Sequence, residues 1–320
     1  MQKNKIFFNL ILILISALIS LSCIEFFLII KAKFIINYDT EMWKYSKLLK
    51  TKSDNKLINH IHIKNKEAIL QNVNIKINSL GLRGNEKDIS EWNNAQNKIL
   101  FIGSSITLGW GVKEGKTITK KLEHSLNSYQ KNSWKILNGG VGNYNTQRYV
   151  VNYFDNYKKL KPNIIVIQYF LNDSEILQNT YGNIFTRNFH LAAILWKYIS
   201  IKKDNLKFSN IYDYYNNFYE TENFKNTKQY LIMMKNECNQ NQIRCIIAYT
   251  TDIQFLNDKN FDKFENKIKS LTKQLDYEFV SFTNDLRKSS LNLKNGYNDN
   301  HPNEKAHEIM SQSLYKYLVN

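Results

Sequence analysis

Apolar residues fall into three kinds of run along this chain. From Ile6 to Ile30 they are almost continuous, broken by Asn9 and Glu25, and a stretch of that length can cross a bilayer as a helix. After residue 96, short runs of strand length appear at Lys98–Ile102, Trp134–Leu137, Ile164–Tyr169, Ile243–Tyr249 and Phe279–Phe282. Between them, apolar residues recur at helical spacing. Ile118, Leu122, Leu126 and Tyr129 make one stripe; Val150, Tyr153, Phe154, Tyr157 and Leu160 make another, closed by Pro162. Asp262–Leu275 is helix-prone, and Ala306, Ile309, Met310, Leu314 and Tyr317 mark a final amphipathic helix. Strands alternating with helices predict an α/β fold, a three-layer doubly wound parallel sheet. Residues 176–236 interrupt the alternation with the apolar segment Leu191–Ile199 and the aromatic cluster Tyr212, Tyr214, Tyr215, Phe218 and Tyr219. A helical insertion packed on the sheet is the expected reading; a cap over the functional site is the alternative.

These patterns divide the 320 residues into a membrane anchor over 1–35, a connecting lead-in over 36–95 and one domain over 96–320 with a full core. A carboxylate at the centre of a span costs about 2.5–3.5 kcal/mol on insertion scales. Glu25 lies near one end, where it can reach the interface or pair with Lys31 or Lys33. Cys23 follows Leu21-Ser22 as in a lipoprotein signal, but the chain stays apolar from Ile24 to Ile30 and has no Ala-x-Ala cleavage site, which favours an uncut anchor. The net charge of +16 comes with abundant Asn and Ile and no dense basic block. It reads as compositional bias, and no basic stripe interleaved with aromatics points to nucleic acid. Cys238 and Cys245 bracket a helix-to-strand turn, free to pair in an oxidising compartment or to stay reduced and buried. His60 and His62 alternate as on one strand face without an acid or thiol beside them, so they are read as surface or packing residues rather than metal ligands. No metal or organic cofactor is expected.

The chemistry-bearing residues lie at strand ends. The run Lys98–Ile102 feeds into Gly103-Ser104-Ser105-Ile106-Thr107-Leu108-Gly109-Trp110-Gly111, where glycines permit a tight turn that lifts a hydroxyl above the carboxyl edge of a sheet. A serine hydroxyl is a poor nucleophile until a base takes its proton. His301 is the candidate base, and Asp299 can fix its tautomer. Taken alone, Gly-Ser-Ser is also an ordinary turn sequence.

Four blocks together resemble the SGNH (GDSL-like) hydrolase family from about Asn78 to the C-terminus. The first is Gly103–Gly111, with Ser104 where the family has Asp. The second is Asn138-Gly139-Gly140-Val141-Gly142-Asn143-Tyr144, the third Phe170-Leu171-Asn172-Asp173, and the last Asp299-Asn300-His301-Pro302-Asn303. Asn78–Gly84 looks like the lead-in that precedes the first block in related proteins. The resemblance implies an SGNH, flavodoxin-like sheet with Ser105 as nucleophile. It implies an oxyanion hole from Asn172 and from the backbone near Gly142 and Asn143, a position that asparagine suits because it tolerates left-handed backbone. The implied function is ester hydrolysis or O-acyl transfer outside the cytoplasm, on an acyl ester substrate for which O-acylated glycans are candidates. Membrane attachment would run through residues 6–30. Ser104, Asn143, Phe170 and the shifted acid depart from the family pattern, and they motivate the competing reading of a non-catalytic, membrane-tethered envelope protein that keeps the fold for binding or assembly.

Overall fold

The structure is a computed structural model describing residues 2–129, 133–177, 182–205, 208, 210–296 and 298–319. The chain opens with helices α1 (Gln2–Phe34) and α2 (Tyr38–Leu49). A strand pair, β1 (Lys50–Lys52) and β2 (His60–His62), and a hairpin, β3 (Lys66–Leu70) and β4 (Val73–Ile77), lead to α3 (Glu86–Asn94). Then come β5 (Asn97–Gly103), α4 (Ser105–Leu108), α5 (Ile118–Tyr129), β6 (Trp134–Gly140), α6 (Thr146–Asn152) and β7 (Ile164–Phe170). Four helices follow: α7 (Ile184–Asn188), α8 (His190–Asn205), α9 (Ile211–Glu220) and α10 (Glu222–Gln240). The chain closes with β8 (Arg244–Thr250), α11 (Asp262–Gln274), β9 (Glu278–Ser281), α12 (Thr283–Arg287), the hairpin β10 (Lys294–Gly296) and β11 (Asp299–Pro302), and α13 (Glu304–Val319).

The α/β fold read from the sequence is the one observed. Strands β6-β5-β7-β8-β9 form one five-stranded sheet, parallel throughout, in the order of a doubly wound flavodoxin-like fold. Side chains alternate across it as strand geometry requires. Leu100, Ile102, Ile165, Ile167 and Ile247 belong to one core with α6, α9, α10 and α11; Ile99, Phe101, Val166, Ile246 and Val280 belong to the other with α5, α12 and α13. β6 runs three residues further than its apolar stretch, because Gly139 and Gly140 keep pairing with Ile102 and Gly103. The second predicted helical stripe is not one regular helix. After Asn152 it widens into a π-helical turn over Tyr153–Tyr157 and tightens into a 3-10 turn over Lys158–Leu160.

Two bodies are distinguished: residues 1–47 with 182–207, and residues 48–181 with 208–320. In the first, α1 is long and apolar enough to cross a membrane. Glu25 does not pair with Lys31 or Lys33; its carboxylate accepts from the backbone N–H groups of His190 and Leu191 at 2.6 and 2.9 Å. The insertion is therefore shared between the bodies. α9 and α10 pack on the sheet through Tyr215, Phe218, Tyr219, Leu231 and Met234, while α7 and α8 belong with the N-terminal helix.

In the second body, Cys238 and Cys245 are joined as a disulfide between α10 and β8. Lys135 on β6 is buried yet held by Asp88, Glu91 and Glu123 at 2.7, 2.6 and 3.0 Å, tying α3 and α5 to the sheet edge. Burial opposes its charge, but the carboxylates of Asp88 and Glu91 outweigh burial and hold its pKa above the ordinary lysine range. His60 and His62 pack inside rather than on the surface. His307 on α13 is fully buried, and its Nδ1 accepts from the Ile118 N–H at 3.0 Å, which requires the neutral ring.

Burial pushes His62 down to about 4 and His307 to about 3, and it pushes His60 well below its ordinary value. Each ring protonates near 6.5 when the chain is unfolded, so below that pH the unfolded state holds more protons. The stabilisation is complete above about pH 6.5 and is lost as pH falls toward 4, at up to about 1.4 kcal/mol per pH unit for each ring. Urea unfolding of the detergent-solubilised chain at pH 7 and pH 5 should show that loss, and His62→Gln should shrink it. An identical pH difference in the variant would contradict the assignment.

Candidate active site

Three parallel strands set the site. Gly103 at the end of β5 is level with Gly140 of β6 on one side and Gln168 of β7 on the other. The loops that follow therefore leave the sheet at one edge, with neighbouring strands about 4.8 Å apart. Ser105 emerges from the middle strand, Gly142 and Asn143 from one neighbour, and Asn172 from the other. The flanking loops are also joined: the Thr146 N–H and hydroxyl donate to the Asp173 carbonyl at 3.0 and 2.9 Å, and the Asn145 amide donates to the Glu175 carbonyl at 2.6 Å.

Ser105 is the first residue of α4, and Gly109 ends that short helix at φ +78°. Asn138 at the head of the second block ties the two loops, its amide donating to the Thr107 carbonyl at 2.8 Å and its oxygen accepting from the Gly140 N–H at 3.0 Å. The backbones are so close that a Cβ on Gly140 would sit 2.2 Å from the Leu108 nitrogen. Arg83 braces the same turn, donating to the carbonyls of Leu108, Gly109 and Val112. That gives the Asn78–Gly84 lead-in, whose role was opaque in the sequence, a structural task.

The candidate acid and base arrive on β11. Asp299 and His301 are two residues apart on one strand, so they share a face. Asn303 caps the following helix, its side-chain oxygen accepting from the N–H groups of Lys305 and Ala306 at 3.0 and 3.1 Å. The Ser105 hydroxyl lies 2.8 Å from His301 Nε2, and His301 Nδ1 lies 2.6 Å from Asp299 Oδ1. An ionised carboxylate only accepts. Nδ1 therefore carries the hydrogen, and Nε2 is left bare to accept from the serine. The other Asp299 oxygen accepts from Trp110 Nε1 at 3.1 Å and from the Gln71 amide at 3.5 Å. Sequence reasoning missed both donors. Trp110 lay inside the first block as an unremarked variable position, and Gln71 sits in the β3–β4 turn, far away in the chain.

The loop after β6 is held by buried cations that the sequence also concealed. The Gly142 carbonyl accepts from Lys50 Nζ at 2.7 Å and lies 3.0 Å from His60 Nε2. The next carbonyl, that of Asn143, accepts from Arg148 at 2.8 Å. Asn143 itself has φ +63°, the left-handed conformation that asparagine accepts better than most residues. Burial, and then the charge of Arg148, push the Lys50 ammonium down to about 7. Asn172 is half-buried in the turn after β7, and the adjacent Asp173 is fully buried with its carboxyl well above the usual range because of that burial. No group of three or more potential metal-ligating side chains is found among the described residues.

A model of the GDSL-like Lipase/Acylhydrolase family matches residues 101–309. Solved structures with a similar fold include a lipolytic protein of the G-D-S-L family from Desulfitobacterium hafniense (14% identity, TM-score 0.46, covering 69% of this chain and 98% of that one). An acetylxylan esterase from Geobacillus stearothermophilus aligns at 15% identity and TM-score 0.47, over 69% of this chain and 94% of its own. An alpha/beta hydrolase enzyme from the metagenome of Lake Arreo, Spain, aligns at 12% identity and TM-score 0.48, over 71% and 97%. At these identities and TM-scores nothing about activity or substrate passes from them to this chain. No curated protein matches.

The close approach at Gly140 makes a direct prediction. Gly140→Ala should lower stability by about 1–3 kcal/mol through overpacking against α4, read as a drop in Tm. Gly115→Ala, where nothing lies within 4 Å of the added carbon, should leave Tm nearly unchanged. Equal Tm values for the two variants would refute the tight contact.

Proposed function

This chain belongs to the GDSL-like lipase/acylhydrolase family and is a serine esterase, and from that premise we propose that it is a membrane-anchored hydrolase or O-acyl transferase whose acyl-enzyme forms on Ser105. The observation that carries the reading is the unbroken hydrogen-bond chain from Asp299 through His301 to Ser105. In the proposed reaction His301 Nε2 takes the hydroxyl proton as Ser105 Oγ attacks the ester carbonyl. Asp299 stabilises the resulting imidazolium, and the same ring then protonates the departing alcohol. Water attacking the acyl-enzyme completes hydrolysis; a sugar hydroxyl in its place completes transfer.

The proposed oxyanion donors are the Asn172 side-chain amide and the backbone N–H of Asn143, next to Gly142. In a trans peptide the C=O and N–H point in opposite directions. Fixing the Gly142 oxygen on Lys50 and His60 therefore fixes the direction of the Asn143 N–H. Lys50 and His60 are positioning residues in this scheme. The apolar helix α1 supports a single anchor at the N-terminus. The Cys238–Cys245 bridge supports an oxidising, extracytoplasmic compartment for the esterase domain. That location favours O-acyl groups on cell-envelope glycans as the substrate class.

Ser105→Ala should abolish both p-nitrophenyl acetate hydrolysis and labelling by a fluorophosphonate probe while the protein stays folded. Hydrolysis at the parental rate in a folded variant would sink the nucleophile assignment, and a folded parent chain that neither reacts nor labels would favour a binding role. Asn172→Ala should cost about 10²–10³-fold in kcat, as loss of one oxyanion donor does. Lys50→Met should lower kcat by about 10- to 100-fold through misalignment alone, with KM within about twofold and Tm unchanged or raised. Full kcat in Lys50→Met would refute the positioning role.

A further inference from the structure

The body formed by residues 1–47 and 182–207 holds a surface that suits no aqueous exposure. On α7 and the loop after it, Phe185 and Phe189 are largely exposed, and on α8 so are Leu195, Trp196 and Ile199, each at about half or more of its full area. A cluster of that size on a helix pair marks contact with another apolar phase rather than scattered surface residues. What lies beside it is the helix that reads as the membrane span. α8 is fastened to α1 at its first turn, where Glu25 accepts from the His190 and Leu191 N–H groups. It is fastened again further along, where Lys197 pairs with Asp39 beyond the end of α1. At the first of these points the Trp43 ring of α2 also stacks on His190, at 4.8 Å.

Two consequences follow. A carboxylate within an apolar span needs a partner, and here it has the free amides at the start of α8, where the positive end of the helix dipole also favours it. The start of α8 must therefore lie at the depth of Glu25, nine residues before α1 ends at Phe34. Its course then runs outward, from Glu25 toward Asp39, and its cations Lys202 and Lys203 come last, where lysines reach the headgroups.

We propose that residues 184–201 are seated in the lipid bilayer alongside α1, with the exposed apolar side chains of α7 and α8 facing acyl chains at the headgroup boundary. This rests on the reading of α1 as a membrane span and goes beyond it: the insertion supplies a second point of membrane attachment. The occupant is lipid because the helix that carries these side chains is fastened by its first turn to the one acidic residue of the apolar helix α1.

The test uses the full chain with Cys23→Ser, labelled without reductant so that the disulfide persists, and reconstituted in phosphatidylcholine–phosphatidylglycerol vesicles. A nitrobenzoxadiazole probe is attached in turn at Leu195→Cys, at Ile15→Cys in α1 and at Lys259→Cys in the other body. Doxyl-labelled lipid should quench the 195 and 15 probes several-fold more than the 259 probe, and aqueous iodide should show the reverse order. A 195 probe open to iodide, or shielded from both quenchers as under a protein partner or second copy, overturns the proposal while a lipid-quenched 15 probe leaves the span intact. Lack of lipid quenching at 15 overturns both.

Discussion

Everything at the site depends on three adjacent parallel strands held in register near their carboxyl ends. Gly103, Gly140 and Gln168 are register partners, so the loops after them share one sheet edge, and the serine leaves from the central strand with a donor-bearing loop on each side. Parallel pairing requires a crossover between each pair of strands, and those crossovers supply the helices that bury both sheet faces. One constraint thus yields the three layers, the two cores and the position of the Ser105 hydroxyl. Asp299 and His301, the proposed acid and base, come from outside the sheet on a hairpin.

The segment before the first sheet strand is more than a connector. Arg83 holds the turn after Ser105 by its carbonyls, Gln71 reaches the acid, and Lys50 and His60 grip the peptide ahead of Asn143. These side chains are buried or half-buried, and most bind backbone oxygens. Such contacts fix geometry without taking part in bond making. A buried lysine held near neutrality by desolvation is a costly way to hold one carbonyl, which argues that the orientation of that peptide matters.

The four blocks were legible in the sequence because each is local: polar residues within a few positions of one another, with a glycine-rich strand exit in the first two. The parallel sheet was legible for the same reason, since its strands are continuous apolar runs separated by helical stripes. What the sequence hid is what depends on distance. Lys50 looks like any other lysine in a chain with 44 basic residues, and only folding shows that it is buried against Gly142. His60 and His62 each meet a backbone carbonyl more than fifteen residues away, Gly142 and Gly81, which no local pattern announces. Glu25 was expected to reach the interface or pair with Lys31 or Lys33, yet its carboxylate takes two hydrogen bonds from the amides of a helix start about 165 residues later. The two cysteines stayed undecided because spacing alone does not set the Cα separation that a bridge needs; here it is 6.3 Å.

The pairing of Asp299 and His301 on one short strand has a temporal corollary. A ribosome delivers Ser105 and both flanking loops well before it delivers Asp299 and His301, the latter 196 residues beyond the serine. On the proposed roles, Ser105 gains its base only once the segment carrying Asp299 and His301 has been synthesised and has docked beside it.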